Sequence, residues 1–156
     1  MPRTPRLDHP GARHHVMNRC ASHRRVFTEA EDLARFHDIL AEVPGRFAAR
    51  IHAWALLSSH FHLLVEVERG NLADLMRFIG SELARRTNRA RGWDGPLLRG
   101  RYRNRAVLDD PYWRHLLVYL HLNPVAAGIV ARPEDSAWTS PLTEIHPPLL
   151  AETSPP

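Results

Sequence analysis

Two histidines separated by one residue, His60 and His62, have the side-chain type and the spacing to bind a metal ion. They lie in a segment, Leu56 to Glu68, whose apolar and polar residues alternate as in a half-buried strand. Alternate side chains of a strand point to the same face, about 7 Å apart. Both side chains are therefore predicted to project from the polar face and to coordinate one metal ion. Two surface histidines that bind nothing are the alternative that the spacing leaves open.

A second polar group recurs at helical spacing near the C-terminus. At about 100° per residue, one sector is apolar and consists of Trp113, Leu116, Leu117, Leu120 and Pro124. The neighbouring polar stripe consists of Tyr112, His115, Tyr119 and Asn123. Tyr119 and Asn123 are four residues apart, so a phenol and an amide would address the same small volume. A tyrosine whose hydroxyl merely finds a hydrogen-bond partner is the alternative.

The elements that would position these groups follow from periodicity and from start and stop signals. The predicted strands are Arg13 to Arg19, Phe47 to Leu57, the histidine strand after a Ser58-Ser59 turn, and Leu97 to Leu108. The predicted helices run from a Thr28 capping box to about Val43, from the Asn71 cap onward, and from Asp109-Asp110-Pro111 to Pro124. This order predicts an α+β, ferredoxin-like split βαββαβ fold. Helices would cover one face of its antiparallel sheet and leave the other open, and an additional C-terminal helix would carry Tyr119.

The chain length and the composition of the C-terminal segment indicate the domain organisation. A chain of 156 residues fits one folded domain, predicted over residues 1–140. Residues 141–156 are rich in Pro, Ser and Thr and are predicted to be disordered. No apolar run approaches the roughly 18 residues of a spanning helix, so a cytoplasmic, nucleoid-associated location is expected. The single cysteine, Cys20, excludes an intramolecular disulfide.

The basic residues favour a nucleic-acid partner. All 21 of them are arginine, the net charge is +4, and the sequence pI is about 10.2. The planar guanidinium binds phosphate through two hydrogen bonds and stacks on bases. In an extended chain, four alternating side chains would form a phosphate-binding track, namely Arg99, Arg101, Arg103 and Arg105.

Four segments together resemble a known family in order and spacing. They are Pro10 to Arg19, His52 to Ala55, His60 to Val65, and Tyr119 to Val125. They resemble the single-strand tyrosine transposases of the HUH superfamily, and more narrowly the transposase relatives associated with bacterial repetitive extragenic palindromes. The resemblance extends from about Pro10 to Ser140.

The resemblance implies an enzyme and assigns its residues. His60 and His62 correspond to the metal ligands, Asn123 to the residue that completes the metal site, and Tyr119 to the nucleophile. The implied cofactor is Mg²⁺ or Mn²⁺, and the implied reaction nicks and rejoins single-stranded or hairpin DNA through a covalent 5′-phosphotyrosine. The residues expected to contact DNA are Arg99, Arg101, Arg103, Arg105, Arg19 and His115.

Three positions depart from the family pattern, namely Ser59, Leu98 and Ala126. None of them removes a catalytic atom, but an arginine is often found at the position of Ala126. Two other functions therefore stay open: a domesticated hairpin-binding protein without catalysis, and a metal-dependent hydrolase that uses water in place of Tyr119. Whether the chain acts as a monomer or a homodimer is also left open.

Overall fold

The structure, a computed structural model, describes the backbone of residues 8–126 and 139, and the side chains of residues 8–120 and 139. Its strands are β1 (Ala12–Arg19), β2 (Ala49–Leu57), β3 (His60–Val67) and β4 (Arg103–Ala106). Its helices are α1 (Ala30–Ala41), α2 (Val43–Phe47), α3 (Leu72–Arg91) and α4 (Asp110–Ala126), with a 3₁₀ turn at Ala21–His23. Within the described range, no helix has the length and apolarity needed to cross a bilayer.

The four strands form one antiparallel sheet in the order β2-β3-β1-β4. This confirms the predicted α+β class and the predicted order of elements, to which the short α2 is added. Pairing between β2 and β3 shifts by one residue at His52, which forms a β-bulge between Ile51 and Ala53. The bulge lies on β2, which is an edge strand of the sheet and pairs with β3.

One face of the sheet is covered by α1 and α3. Alternation along β3 sends four apolar side chains into this first core, namely Phe61, Leu63, Val65 and Val67. They pack with Phe36 and Ile39 of α1 and with a stripe of α3 at helical spacing: Leu72, Leu75, Met76, Ile79 and Leu83. Each fully buried aliphatic or aromatic side chain contributes about 1.5–3 kcal/mol, so this face supplies most of the apolar stabilisation.

The opposite face is covered in part by α4, and the expectation of an open face is wrong there. Trp113, Leu116, Leu117 and Leu120 form a second core with four residues at the sheet: Ala53, Ala55, Leu64 and Val107. An apolar helical stripe of this width has to be buried, and α4 buries it against the outer side of β2 and β3.

Several predicted boundaries also differ. The fourth strand is Arg103–Ala106 and not Leu97 to Leu108. Residues 99–101 form a bend, and Leu97 enters the first core with 1% exposure. The alternating arginines of this segment are all exposed, so their alternation does not mark a buried strand face.

The ends of the first and last helices differ from the predicted ends. α1 begins at Ala30, because the Asp32 carboxylate accepts the N–H groups of Thr28 and Glu29 and makes Glu29 the N-cap. α1 ends at Ala41 and not at about Val43, and Pro44 lies in the first turn of α2, where its missing N–H costs nothing. α4 continues past the expected stop at Pro124 to Ala126.

Candidate active site

The alternation predicted for β3 puts both histidines on the face that α4 covers. His60 is half-buried and His62 is 8% exposed. Their ring centroids lie 5.3 Å apart with an interplanar angle of 73°. Metal–nitrogen bonds of about 2.1 Å allow two rings at this separation to reach one ion.

A third histidine, which was not assigned to the site from sequence, joins this pair. His15 lies on β1 and pairs with Leu64, two residue pairs from the pairing of Met17 with His62. Its Nε2 lies 3.0 Å from Nδ1 of His62, and the two rings stack at 5.2 Å with an interplanar angle of 22°. Only the register of β1 against β3 brings them together, and no local sequence signal fixes that register.

The three imidazoles are electrically neutral at pH 7. Burial, followed by His15, His60 and Arg19, lowers the pKa of His62 to about 3. Burial and Arg19 lower the pKa of His60, and burial and Arg105 lower the pKa of His15. A neutral imidazole has the free lone pair that metal binding requires.

These residues fit part of a metal site. Among residues 8–120 and 139, no group of three or more His, Cys, Asp and Glu side chains is arranged to hold an ion. His60 and His62 supply two neutral nitrogen donors, and a third donor must come from elsewhere. Asn123, the predicted third ligand, has its side chain outside the described residues.

The helix that carries Tyr119 packs beside the histidine pair. Leu116, about one turn before Tyr119, and Leu120, the residue after it, share the second core with Ala55 and Leu64. Ala55 is the cross-strand partner of His62, and Leu64 follows His62 on the same face of β3. The Tyr119 side chain is 48% exposed, so its hydroxyl is accessible to a polymer substrate.

The N-terminal end of α4 is held by polar contacts as well as by packing. The guanidinium of Arg13 forms an ion pair with Asp110 at 2.7 Å and lies 5.2 Å from the Trp113 ring. The ring of His52, at the bulge, meets Trp113 edge-on at 5.1 Å. Burial lowers the pKa of His52, with Glu66 acting in the opposite direction, so His52 packs on Trp113 as a neutral ring.

The first residue of the polar stripe of α4 lies beside β4. Tyr112 lies under the guanidinium of Arg105 at 5.3 Å, which joins the stripe to β4. His115 is exposed on the same stripe, one turn before Tyr119. The stripe therefore borders β4 at Tyr112 and Arg105.

The predicted arginine track is divided between a strand and a bend. Arg103 and Arg105 lie on β4 and pair with Met17 and His15, whereas Arg99 and Arg101 lie in the preceding bend. A single extended track is therefore wrong. All four side chains are nevertheless exposed, and three of them, Arg99, Arg101 and Arg103, line a cleft of about 410 Å³. Its lining residues are Met17, Asn18, Arg19, Arg99, Gly100, Arg101 and Arg103.

This arginine cleft adjoins the histidines through the sheet. Met17 pairs with His62, and Arg19 pairs with His60. Antiparallel partners project to the same face, so the cleft begins where the histidine pair ends. Cys20, next to the cleft, is buried, and burial raises the pKa of its thiol to about 11, which leaves it unreactive.

Comparison with known proteins agrees with this fold. The family model described as "Transposase IS200 like" matches residues 10–102, a span that includes β1 to β3 and the histidine pair and ends before α4. No curated protein matches the chain.

Two solved structures are similar in fold. A REP-associated tyrosine transposase bound to a REP hairpin has a TM-score of 0.75 at 18% identity and covers 89% of this chain and 82% of its own. A candidate transposase from Deinococcus radiodurans R1 has a TM-score of 0.53 at 17% identity and covers 76% of this chain and 95% of its own. The family model matches more than half of the length of this chain, and the chain therefore belongs to the IS200-like transposase family.

Proposed function

We propose that this chain is a metal-dependent transposase that nicks single-stranded DNA at a hairpin or palindromic repeat and rejoins it through a 5′-phosphotyrosine. The observation that carries the proposal is the packing of α4 on the histidine face. Leu116 and Leu120, which flank Tyr119, pack with the immediate neighbours of His62. This packing supports a site in which the Tyr119 phenol and the two imidazoles lie on one side of the sheet.

The chemical step assigned to Tyr119 is a phosphoryl transfer. Its Oη attacks the phosphorus of a phosphodiester, the bond from phosphorus to O3′ breaks, and the 3′ oxygen leaves as a hydroxyl. The proton lost by the phenol balances the proton gained by that oxygen. One new phosphodiester replaces one old one, so attack by a different 3′-hydroxyl rejoins DNA without external energy.

A divalent ion held by His60, His62 and Asn123, either Mg²⁺ or Mn²⁺, would polarise the scissile phosphate. Imidazole ligands favour Mn²⁺ over Mg²⁺. A phenol is almost fully protonated at neutral pH and is a weak nucleophile, so the reaction is expected to depend on this ion.

The DNA strand is expected to follow the arginine cleft. Arg19, Arg99, Arg101 and Arg103 line a concave surface that leads to the histidine pair, and guanidiniums bind successive phosphates well. His115 would contact the strand from the α4 side. A hairpin substrate is proposed because the structurally similar transposase is bound to a REP hairpin, and the expected location is the cytoplasm, with the DNA.

A hairpin-binding protein without catalysis is the second candidate. It is favoured by the end of the family match at residue 102, before Tyr119, and by Ala126 at a position where an arginine is often found. Such a protein would keep the arginine cleft and bind DNA without cutting it.

A denaturing gel separates these possibilities. Hairpin DNA is labelled at either its 5′ or its 3′ end and incubated with the protein and Mn²⁺. We expect a slow protein-linked band with the 3′ label only, because Tyr119 would retain the 5′-phosphate of the downstream fragment. Tyr119→Phe should abolish this band, and Tyr112→Phe, on the same stripe, should keep it. DNA binding without any cut would support the second candidate, and cutting by Tyr119→Phe would indicate a hydrolase.

A further inference from the structure

The hydrogen bond between His15 and His62 decides which nitrogen of His62 can reach an ion. His62 Nδ1 lies 3.0 Å from His15 Nε2, so that nitrogen is already engaged. Its Nε2 is the one left to bind a metal. Stacking of the two rings at 5.2 Å keeps the His62 ring from rotating to exchange its nitrogens.

A neutral imidazole carries one proton on one of its two nitrogens. If the proton of His62 is on Nε2, that atom has no free lone pair and cannot bind an ion. If the proton is on Nδ1, it is donated to His15 and Nε2 is bare. The hydrogen bond can run in either direction, and only one direction gives a metal ligand.

We propose that His15 is a positioning residue whose Nε2 accepts the Nδ1–H of His62 and thereby presents a bare His62 Nε2 to the metal ion. The proton of His15 then resides on its own Nδ1. The proposal rests on the metal-binding role proposed for His62. It adds an outer-sphere partner, of the kind that commonly fixes the tautomer and the orientation of a metal-bound histidine.

The position of His15 in the sheet supports this role. It is half-buried between cross-strand partners Leu64 and Arg105. The Leu64 side chain belongs to the second core, and the Arg105 guanidinium lies over Tyr112. With neighbours held on both sides, the His15 ring is a fixed acceptor and not a mobile surface group.

The first measurement needs no metal. Long-range ¹H–¹⁵N NMR spectra of the metal-free protein at neutral pH report which nitrogen of each histidine carries a proton. We expect Nδ1-protonated His62 in the wild type and a mixture of tautomers in His15→Phe. His62 protonated on Nε2 in the wild type would overturn the proposal, even if His15→Phe fails to fold.

The second measurement is Mn²⁺ binding by calorimetry, with the melting temperature of each variant recorded alongside. His15→Phe should weaken Mn²⁺ binding by about tenfold to a hundredfold. His15→Gln, whose Oε1 can accept the same proton, should stay within a few-fold of the wild type. His37→Gln, on α1 at the other side of the sheet, is the matched control and should bind as the wild type does.

Full Mn²⁺ affinity in a folded His15→Phe would contradict the proposal, as would equal losses in the Phe and Gln variants. Failure of the proposed function has a different signature. The wild type would then bind no Mn²⁺ at all, whereas the tautomer of His62 would still be measurable and would still decide whether His15 is its acceptor.

Discussion

Nη2 of Arg13 lies 2.7 Å from Oδ1 of Asp110, which ties the central strand β1 to the first turn of α4. The same guanidinium covers one side of the Trp113 ring, and His52 meets that ring edge-on. This cluster fixes the start of the helix on the histidine face. Nine residues after Asp110, the same helix carries Tyr119 between Leu116 and Leu120, which share the second core with Ala55, the cross-strand partner of His62.

Trp113 is expected to dominate the attachment of α4. It is 3% exposed, and a large-to-small change at such a site typically costs about 3–5 kcal/mol. Trp113→Ala should therefore lower the free energy of unfolding by about that amount in urea titrations and should also lower adduct formation. Leu108→Ala, at a 74% exposed apolar residue just before α4, should change stability by no more than about 0.5 kcal/mol. Equal stability of the two variants would show that α4 is not anchored by this ring.

Asp32 makes stability depend on acid. Burial acts to raise its pKa, but the N–H groups of Thr28 and Glu29, together with Arg35 and Arg91, outweigh burial and lower it. A folded-state pKa below the unfolded value gives stability that is present above about pH 4 and is lost as the pH falls further.

Asp32→Asn should therefore cost about 1–3 kcal/mol at pH 7, and its difference from the wild type should shrink below about pH 4. Chemical unfolding at several pH values measures this. Asp38→Asn, an exposed carboxylate on α1, is the control. A difference between wild type and Asp32→Asn that stays constant with pH would contradict the ionic role.

The arginine cleft is tested by salt dependence. Arg101→Ala or Arg103→Ala should weaken binding of single-stranded DNA and reduce the slope of log affinity against log salt by about 0.7, the value for one lost phosphate contact. Fluorescence anisotropy over a range of salt concentrations gives both quantities. Arg77→Ala, on the exposed side of α3, should leave the slope unchanged. If all three variants keep the wild-type slope, DNA does not follow this cleft.

Acid should affect metal binding less than it does at an ordinary histidine site. Because burial and neighbouring groups lower the pKa of His62 to about 3, and burial and Arg19 lower the pKa of His60, protons compete less with an ion here than at solvent-exposed histidines. Mn²⁺ affinity should change by less than about threefold between about pH 7.5 and pH 5.5. Calorimetry at both pH values measures this, and a loss approaching tenfold would contradict neutral, pre-formed ligands.

The lowered pKa of His62 also makes the stability of the fold depend on pH. Because the folded-state pKa is below the unfolded value of about 6.5, His62 becomes protonated in the unfolded chain at pH values where it stays neutral in the native protein. This contribution leaves stability intact above about pH 6.5 and lowers it progressively as the pH falls toward 3.

Local patterns were sufficient for the elements whose two faces differ in polarity. The alternation from Phe61 to Val67 correctly predicted β3 and the face of its histidines, and the apolar stripe from Trp113 to Leu120 correctly predicted the buried side of α4. By contrast, all four alternating arginines from Arg99 to Arg105 are exposed, and only Arg103–Ala106 of the predicted strand is a strand, after a bend at residues 99–101.

Contacts between distant segments could not be predicted in the same way. His15 meets His62 only because β1 pairs with β3 in one particular register. Trp113 meets Arg13 and His52 only because α4 crosses to the outer face of the sheet. Each depends on how whole elements pack, which a short stretch of residues does not encode.

The central claim, that the Tyr119 hydroxyl becomes joined to the 5′ end of cut DNA, is tested most directly by mass spectrometry. The covalent complex formed with hairpin DNA and Mn²⁺ is digested with nuclease and trypsin, and the modified peptide is sequenced. We expect a single nucleotide 5′-phosphate on the peptide that contains Tyr119. A modification on Tyr112 or Tyr102, or cleaved DNA with no modified peptide, would contradict the account.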